Sequence, residues 1–108
     1  MRFDEVWAAC AGAAGVEANI VQVDERWLIE KEVAPWMGLP LWLPAGEGFD
    51  GLSQVNVSKA IDAGLTFRPI LDTCRDTLAW DRGRNGAGMD AQLSRQREAE
   101  LLAEWKAR

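Results

Sequence analysis

Prolines at positions 35, 40 and 44 fall inside one of the most apolar stretches of the chain, Pro35-Trp36-Met37-Gly38-Leu39-Pro40-Leu41-Trp42-Leu43-Pro44. Each proline lacks an amide donor and keeps its predecessor out of helical angles, so this segment cannot be a regular helix in spite of its hydrophobicity. It reads as an extended apolar loop, roughly 33–48, set between helical patterns. With 108 residues there is room for one modest core, which must accommodate that loop together with its flanking helices.

On either side the apolar spacing is helical. Phe3, Val6, Trp7, Cys10 and Ala14 recur on one helical face that Gly15 can end. Residues 18–23 alternate and carry Ile20, Val21 and Val23, the pattern of a short strand; Asp24 can cap a following helix that runs to about Glu32. After the loop, Val57, Ala60 and Ile61 mark a short helix closed by Gly64. Residues 65–68 read as extended, and Pro69 opens a long helix striped by Ile70, Leu71, Cys74 and Leu78. Three glycines, Asn85 and two arginines in 82–88 give a linker, and Ser94 caps a last helix with Leu101, Leu102 and Trp105 inward and Glu104 placed to pair with Arg108. The expected fold class is α+β: a small, mostly helical domain with a minimal sheet of one to three short strands. Its body is expected to span 1–82, with a Gly-rich linker at 83–92 and a C-terminal helix at 93–108 docking on the same domain.

The chain contains no His and no Tyr, which removes the commonest general base near neutral pH, the commonest metal ligand and the phenolic acid together. Its three serines, Ser53, Ser58 and Ser94, therefore have no imidazole to activate them. The paired carboxylates Asp24/Glu25, Glu30/Glu32 and Glu98/Glu100 lie in polar surface patterns, where nothing splits their proton affinities. Net charge is −5, the opposite of a nucleic-acid footprint, and the negative excess lies in the first fifty residues, where nine acids meet three bases. Cys10 and Cys74 are far apart in sequence, each within a helical stripe, and read as buried reduced thiols of a cytoplasmic protein. Cys10-Ala11-Gly12-Ala13-Ala14-Gly15 is not a phosphate loop, because its glycines follow a helix instead of a strand and no Lys-Ser or Lys-Thr comes after. No apolar run approaches a membrane span.

Six tryptophans are the conspicuous excess. Trp7, Trp27, Trp80 and Trp105 fit helical stripes and read as core. For Trp36 and Trp42, on the proline-braced loop, two readings stay open: walls of a pocket, where the indole N–H can orient a ligand, or plugs of the core under the loop.

One stretch carries a family likeness. Val57-Ser58-Lys59-Ala60-Ile61-Asp62-Ala63-Gly64-Leu65-Thr66-Phe67-Arg68-Pro69, followed by Leu71 and Asp76-Thr77-Leu78-Ala79-Trp80, resembles the C-terminal part of extended short-chain dehydrogenases, the NAD-dependent epimerase/dehydratase family. The opening Phe3 to Val6, the Leu-Pro-Leu-Trp-Leu-Pro loop and the Leu-Ser-Arg-x-Arg-Glu-Ala-Glu-Leu-Leu ending look like a reductase-like bacterial branch of it. The resemblance implies the substrate-binding portion of an NAD(P)-dependent epimerase, dehydratase or reductase, not catalytic alone, since the glycine-rich cofactor loop and the Tyr-x-x-x-Lys of that family are absent. It implies that Trp36, Met37, Leu39, Leu41 and Trp42 line the substrate side, with Arg68 for an anionic group. NAD or NADP would be held by a Rossmann cofactor domain in the same or another chain, and no cofactor by this one. The expected partners are that domain, a small-molecule substrate and a second copy of the chain, with neither nucleic acid nor membrane. The alternative is a free-standing, non-catalytic interaction module whose Trp/Pro loop docks a protein.

Overall fold

Five helices make up the regular structure of the described residues, 1–86 and 93–108, in this computed structural model: α1 (Phe3–Ala14), α2 (Glu25–Glu30), α3 (Ser58–Asp62), α4 (Ile70–Arg82) and α5 (Arg95–Lys106). Their ends follow the local chemistry of the sequence. The Glu5 carboxylate accepts the Arg2 backbone N–H at 3.0 Å, and Gly15 closes α1 in the left-handed conformation at φ 68°, which a glycine adopts without a Cβ clash. Asp24 caps α2 by accepting from the Arg26 amide at 2.8 Å, and Ser94 caps α5 by accepting from the Arg97 amide at 3.1 Å. Asn56 accepts from the Ser58 amide at 3.0 Å and starts α3. Pro69 stands just before α4, not within it.

The chain divides into two compact units, each built from two separated segments: residues 1–20 with 56–87, and residues 21–55 with 88–108. The first unit is built on the packing of α1 against α4, with α3 preceding α4 in its second segment. Small residues set this packing: Ala9 is buried, and a Cβ added at Gly12 would stand 3.6 Å from Leu71 Cδ1. The stripe Ile70, Leu71, Cys74 and Leu78 is half-buried.

The second unit buries Trp27, Val33 and Leu101, with Val23, Leu28, Trp42, Leu93 and Trp105 packed around them. The Trp27 and Trp105 rings meet edge to face with centroids 5.2 Å apart. Thus α5 docks on α2 and on the turn after it. Lys31 forms an ion pair with Glu104, while Arg97 donates to the Lys31 carbonyl at 3.5 Å. Lys31 takes the carboxylate that the helix spacing offered to Arg108, whose guanidinium instead stacks on the Trp105 ring at 3.2 Å.

The expected sheet does not form among the described residues: they contain one isolated bridge, between Pro35 and Leu39, and no strand. Alternation in 18–23 and 65–68 supplies one face of a strand, but a strand also needs a neighbour in register, and none runs beside either segment. Residues 18–23 also straddle the boundary between the two units. Of the expected linker, 83–86 form a turn, with Asn85 at φ 52° and Gly86 at φ 79°; 87–92 lie outside the described residues. No helix among the described residues is long and apolar enough to cross a membrane.

Candidate functional site

The proline segment folds back on itself through its own backbone. Gly38 and Leu39 both donate their amides to the Ala34 carbonyl, at 2.9 and 3.2 Å, and Trp36 donates to the Trp42 carbonyl at 3.0 Å. A Cβ at Gly38 would sit 2.8 Å from the Ala34 oxygen, so this position requires glycine. Trp36 and Leu41 hold positive φ, 60° and 68°, a conformation that costs side-chain-bearing residues free energy and persists only where surrounding contacts impose it. The Gly38 carbonyl accepts the Leu93 amide at 2.9 Å, tying the loop to the residue just ahead of the α5 cap. Glu25, on α2, holds the loop's far end: its carboxylate accepts the Trp42 indole N–H at 3.3 Å and the Ala45 amide at 3.1 Å.

These contacts leave an apolar cavity of about 290 Å³ inside the second unit. Trp27, Leu28 and Val33 form one wall, Leu39 and Trp42 of the loop a second, and Leu93, Leu101 and Leu102 a third, with Val21 and Val23 closing it and Glu98 as the charged lining residue. Its volume stands at the lower end of small-molecule sites, which are mostly apolar with a few polar groups that fix orientation. The lining can exclude water from a small apolar molecule and offer it the Trp42 ring. The Trp42 N–H is engaged by Glu25, so it is the ring face, not the donor, that the cavity receives.

The six residues singled out from the sequence do not gather in one place. Leu39 and Trp42 line the cavity. Trp36, Met37 and Leu41 sit on the same loop but are exposed and do not line it. Arg68 belongs to the first unit, where its guanidinium pairs with Asp76 at 2.7 Å. Of the four tryptophans read as core, Trp27 is buried and Trp105 packs against it, whereas Trp7 and Trp80 are exposed, at 38% and 62%. Their helical stripe is real, but α1 and α4 meet through smaller residues: Trp7 stacks on Phe3 at 5.8 Å, and Arg84 covers the Trp80 ring at 4.4 Å.

Sequence reasoning missed Val33, Leu93 and Glu98 as lining residues. Leu101 and Leu102 were readable as an inward face of α5, yet nothing local tied that face to Trp27. Among the described residues, no three His, Cys, Asp or Glu side chains converge to hold a metal ion. No protein-family model, curated protein or solved structure matches the chain.

Proposed function

We propose that this chain is the substrate-binding C-terminal portion of an NAD(P)-dependent epimerase, dehydratase or reductase, acting in the cytoplasm with a Rossmann cofactor domain that supplies the nucleotide site and the proton-transfer residues. The observation that carries the reading is the uncovered apolar surface of the stretch bearing the family resemblance. Val57, Ile61, Leu65 and Phe67 are all exposed, Phe67 at 70%, and extensive exposed apolar surface on a soluble protein marks an interaction site. A cofactor domain seated there would cover them. Segments 18–23 and 65–68, which form no strand among the described residues, fit the same reading, since strands of a partner domain would supply the neighbours that they lack. The apolar cavity of the second unit would then receive an apolar portion of the substrate against Leu39 and Trp42, with the reacting atoms held by the partner domain. A second copy of the chain is the natural further partner of such an enzyme.

The exposure of Trp36, Met37 and Leu41 on the strained loop favours one second reading, a non-catalytic module that docks a protein through that loop. The intact mass of the native gene product, detected in its own cells through α5, separates the two. A product several times heavier than 12.0 kDa supports the enzyme reading; a product at 12.0 kDa that co-purifies with no cofactor-domain chain overturns it. In the complete enzyme Trp42→Ala should raise KM about tenfold or more with kcat little changed, as expected for lost binding common to ground and transition states. An unchanged KM with lost stability would make Trp42 a core plug.

A further inference from the structure

Cys10 and Cys74 stand 64 positions apart in sequence, yet their sulfurs are 3.7 Å apart across the α1–α4 packing of the first unit. Both are free thiols, and the chain has no other cysteine. The expectation of two separate buried thiols is thus replaced by a pair in van der Waals contact. A disulfide needs the sulfurs at about 2.05 Å with suitably close backbones. The helices approach closely here, with Ala9 buried beside Cys10 and Gly12 facing Leu71, so side-chain rotation about Cα–Cβ can supply the remaining approach. Both cysteines line a cavity of about 300 Å³ together with Ala13, Ala14, Thr73, Thr77, Leu78 and Asp81. It gives the sulfurs room to turn and a small oxidant a way in.

We propose that Cys10 and Cys74 form a dithiol site that hydrogen peroxide converts reversibly into an intramolecular disulfide, fastening α1 to α4. Cys10 is the exposed member and meets the oxidant first. Its thiolate attacks one peroxide oxygen, the O–O bond breaks, and hydroxide leaves to take up the proton released by the thiol, giving a sulfenic acid and water. Cys74 then attacks the Cys10 sulfur: the S–S bond forms, the S–O bond breaks, and the departing hydroxide leaves as water with the Cys74 proton. The two sulfurs together lose two electrons, which reduce one peroxide to two waters. Desolvation pushes the Cys74 thiol above its ordinary value, with the Cys10 thiol beside it adding to the effect, so Cys74 is the poorer nucleophile for the first attack.

The test treats the reduced 108-residue chain with one equivalent of hydrogen peroxide. The expected result is a mass loss of about 2 Da, from the two hydrogens removed, with both thiols becoming unreactive toward a thiol reagent and the tryptic peptides 3–26 and 60–75 joined. With the peroxide concentration held fixed, the fraction of chain oxidised per unit time should not change when the protein is diluted tenfold, and dithiothreitol should restore both thiols. Cys10→Ser and Cys74→Ser should each abolish the mass loss, circular dichroism serving to verify the fold. Persistent thiols, a disulfide-linked dimer, or oxygen addition to Cys10 without the crosslink would each overturn the proposal.

Discussion

The two units solve the same packing problem with opposite materials. In the first, α1 and α4 approach through Ala9, Gly12 and Leu71 while Phe3, Trp7 and Trp80 face outward. In the second, two tryptophans turn inward: Trp27 meets Trp105 edge to face over Val33 and Leu101. Close helix approach buries little area but tolerates no added volume, whereas an aromatic core rests on area and is damaged by its removal. One unit should therefore break when atoms are added and the other when they are taken away.

The largest effect is expected from Trp27→Ala, which should destabilise the second unit by about 3–5 kcal/mol. Amide hydrogen exchange should accelerate in α2 and α5 and change little in α1 and α4; equal acceleration in all four would break the distinction between the units. Next comes Ala9→Leu, which forces a larger side chain between α1 and α4 and should cost about 1–3 kcal/mol, read as faster exchange in α1 and α4. A neutral or stabilising result would show that the helix pair has slack.

The smallest effect belongs to Glu104→Gln. The hydrogen bond from Lys31 holds the Glu104 carboxyl below its usual 4.5, with Lys31 and Arg97 adding attraction against some desolvation. A carboxyl whose proton affinity is lowered by folding stabilises the folded state above its unfolded pKa, and that contribution fades as pH falls through the folded value. The wild-type chain should thus lose this stabilisation below about pH 4.5. Glu104→Gln should be slightly less stable at pH 7, and its difference from wild type should narrow as pH falls below about 4.5 in parallel denaturant melts; a difference that stays constant would assign the effect to packing instead.

Features encoded by adjacent residues were legible before the structure. Asp24 and Ser94 announce their helices because a cap needs only a side-chain oxygen within three residues of a free amide, and the prolines forbid a helix over 35–44 wherever that segment lies. The apolar surroundings of Trp42 were legible to the extent of a loop rich in large side chains. What closes the cavity was not: the Gly38 carbonyl finds Leu93, and Trp27 finds Leu101, from the other end of the chain. The positive φ of Trp36 and Leu41 carried no local sign either, since neither residue favours that conformation. Period alone also could not tell whether the tryptophans of α1 and α4 face a neighbouring helix, because Ala9 and Gly12 sit on the same helix as Trp7 and permit a closer approach than a tryptophan would.

The interleaved segments of the two units set an order of events as the chain leaves the ribosome. Both segments of the first unit have been made once α4 is complete, and its helix pair can close at that point. Trp27 is made earlier than α4 but must wait for Leu101 and Trp105, which follow α4 in the chain. For the interval between α4 and α5 the nascent protein therefore carries a finished helix pair alongside a bare indole and an unfilled apolar hollow, the kind of surface on which chaperones act.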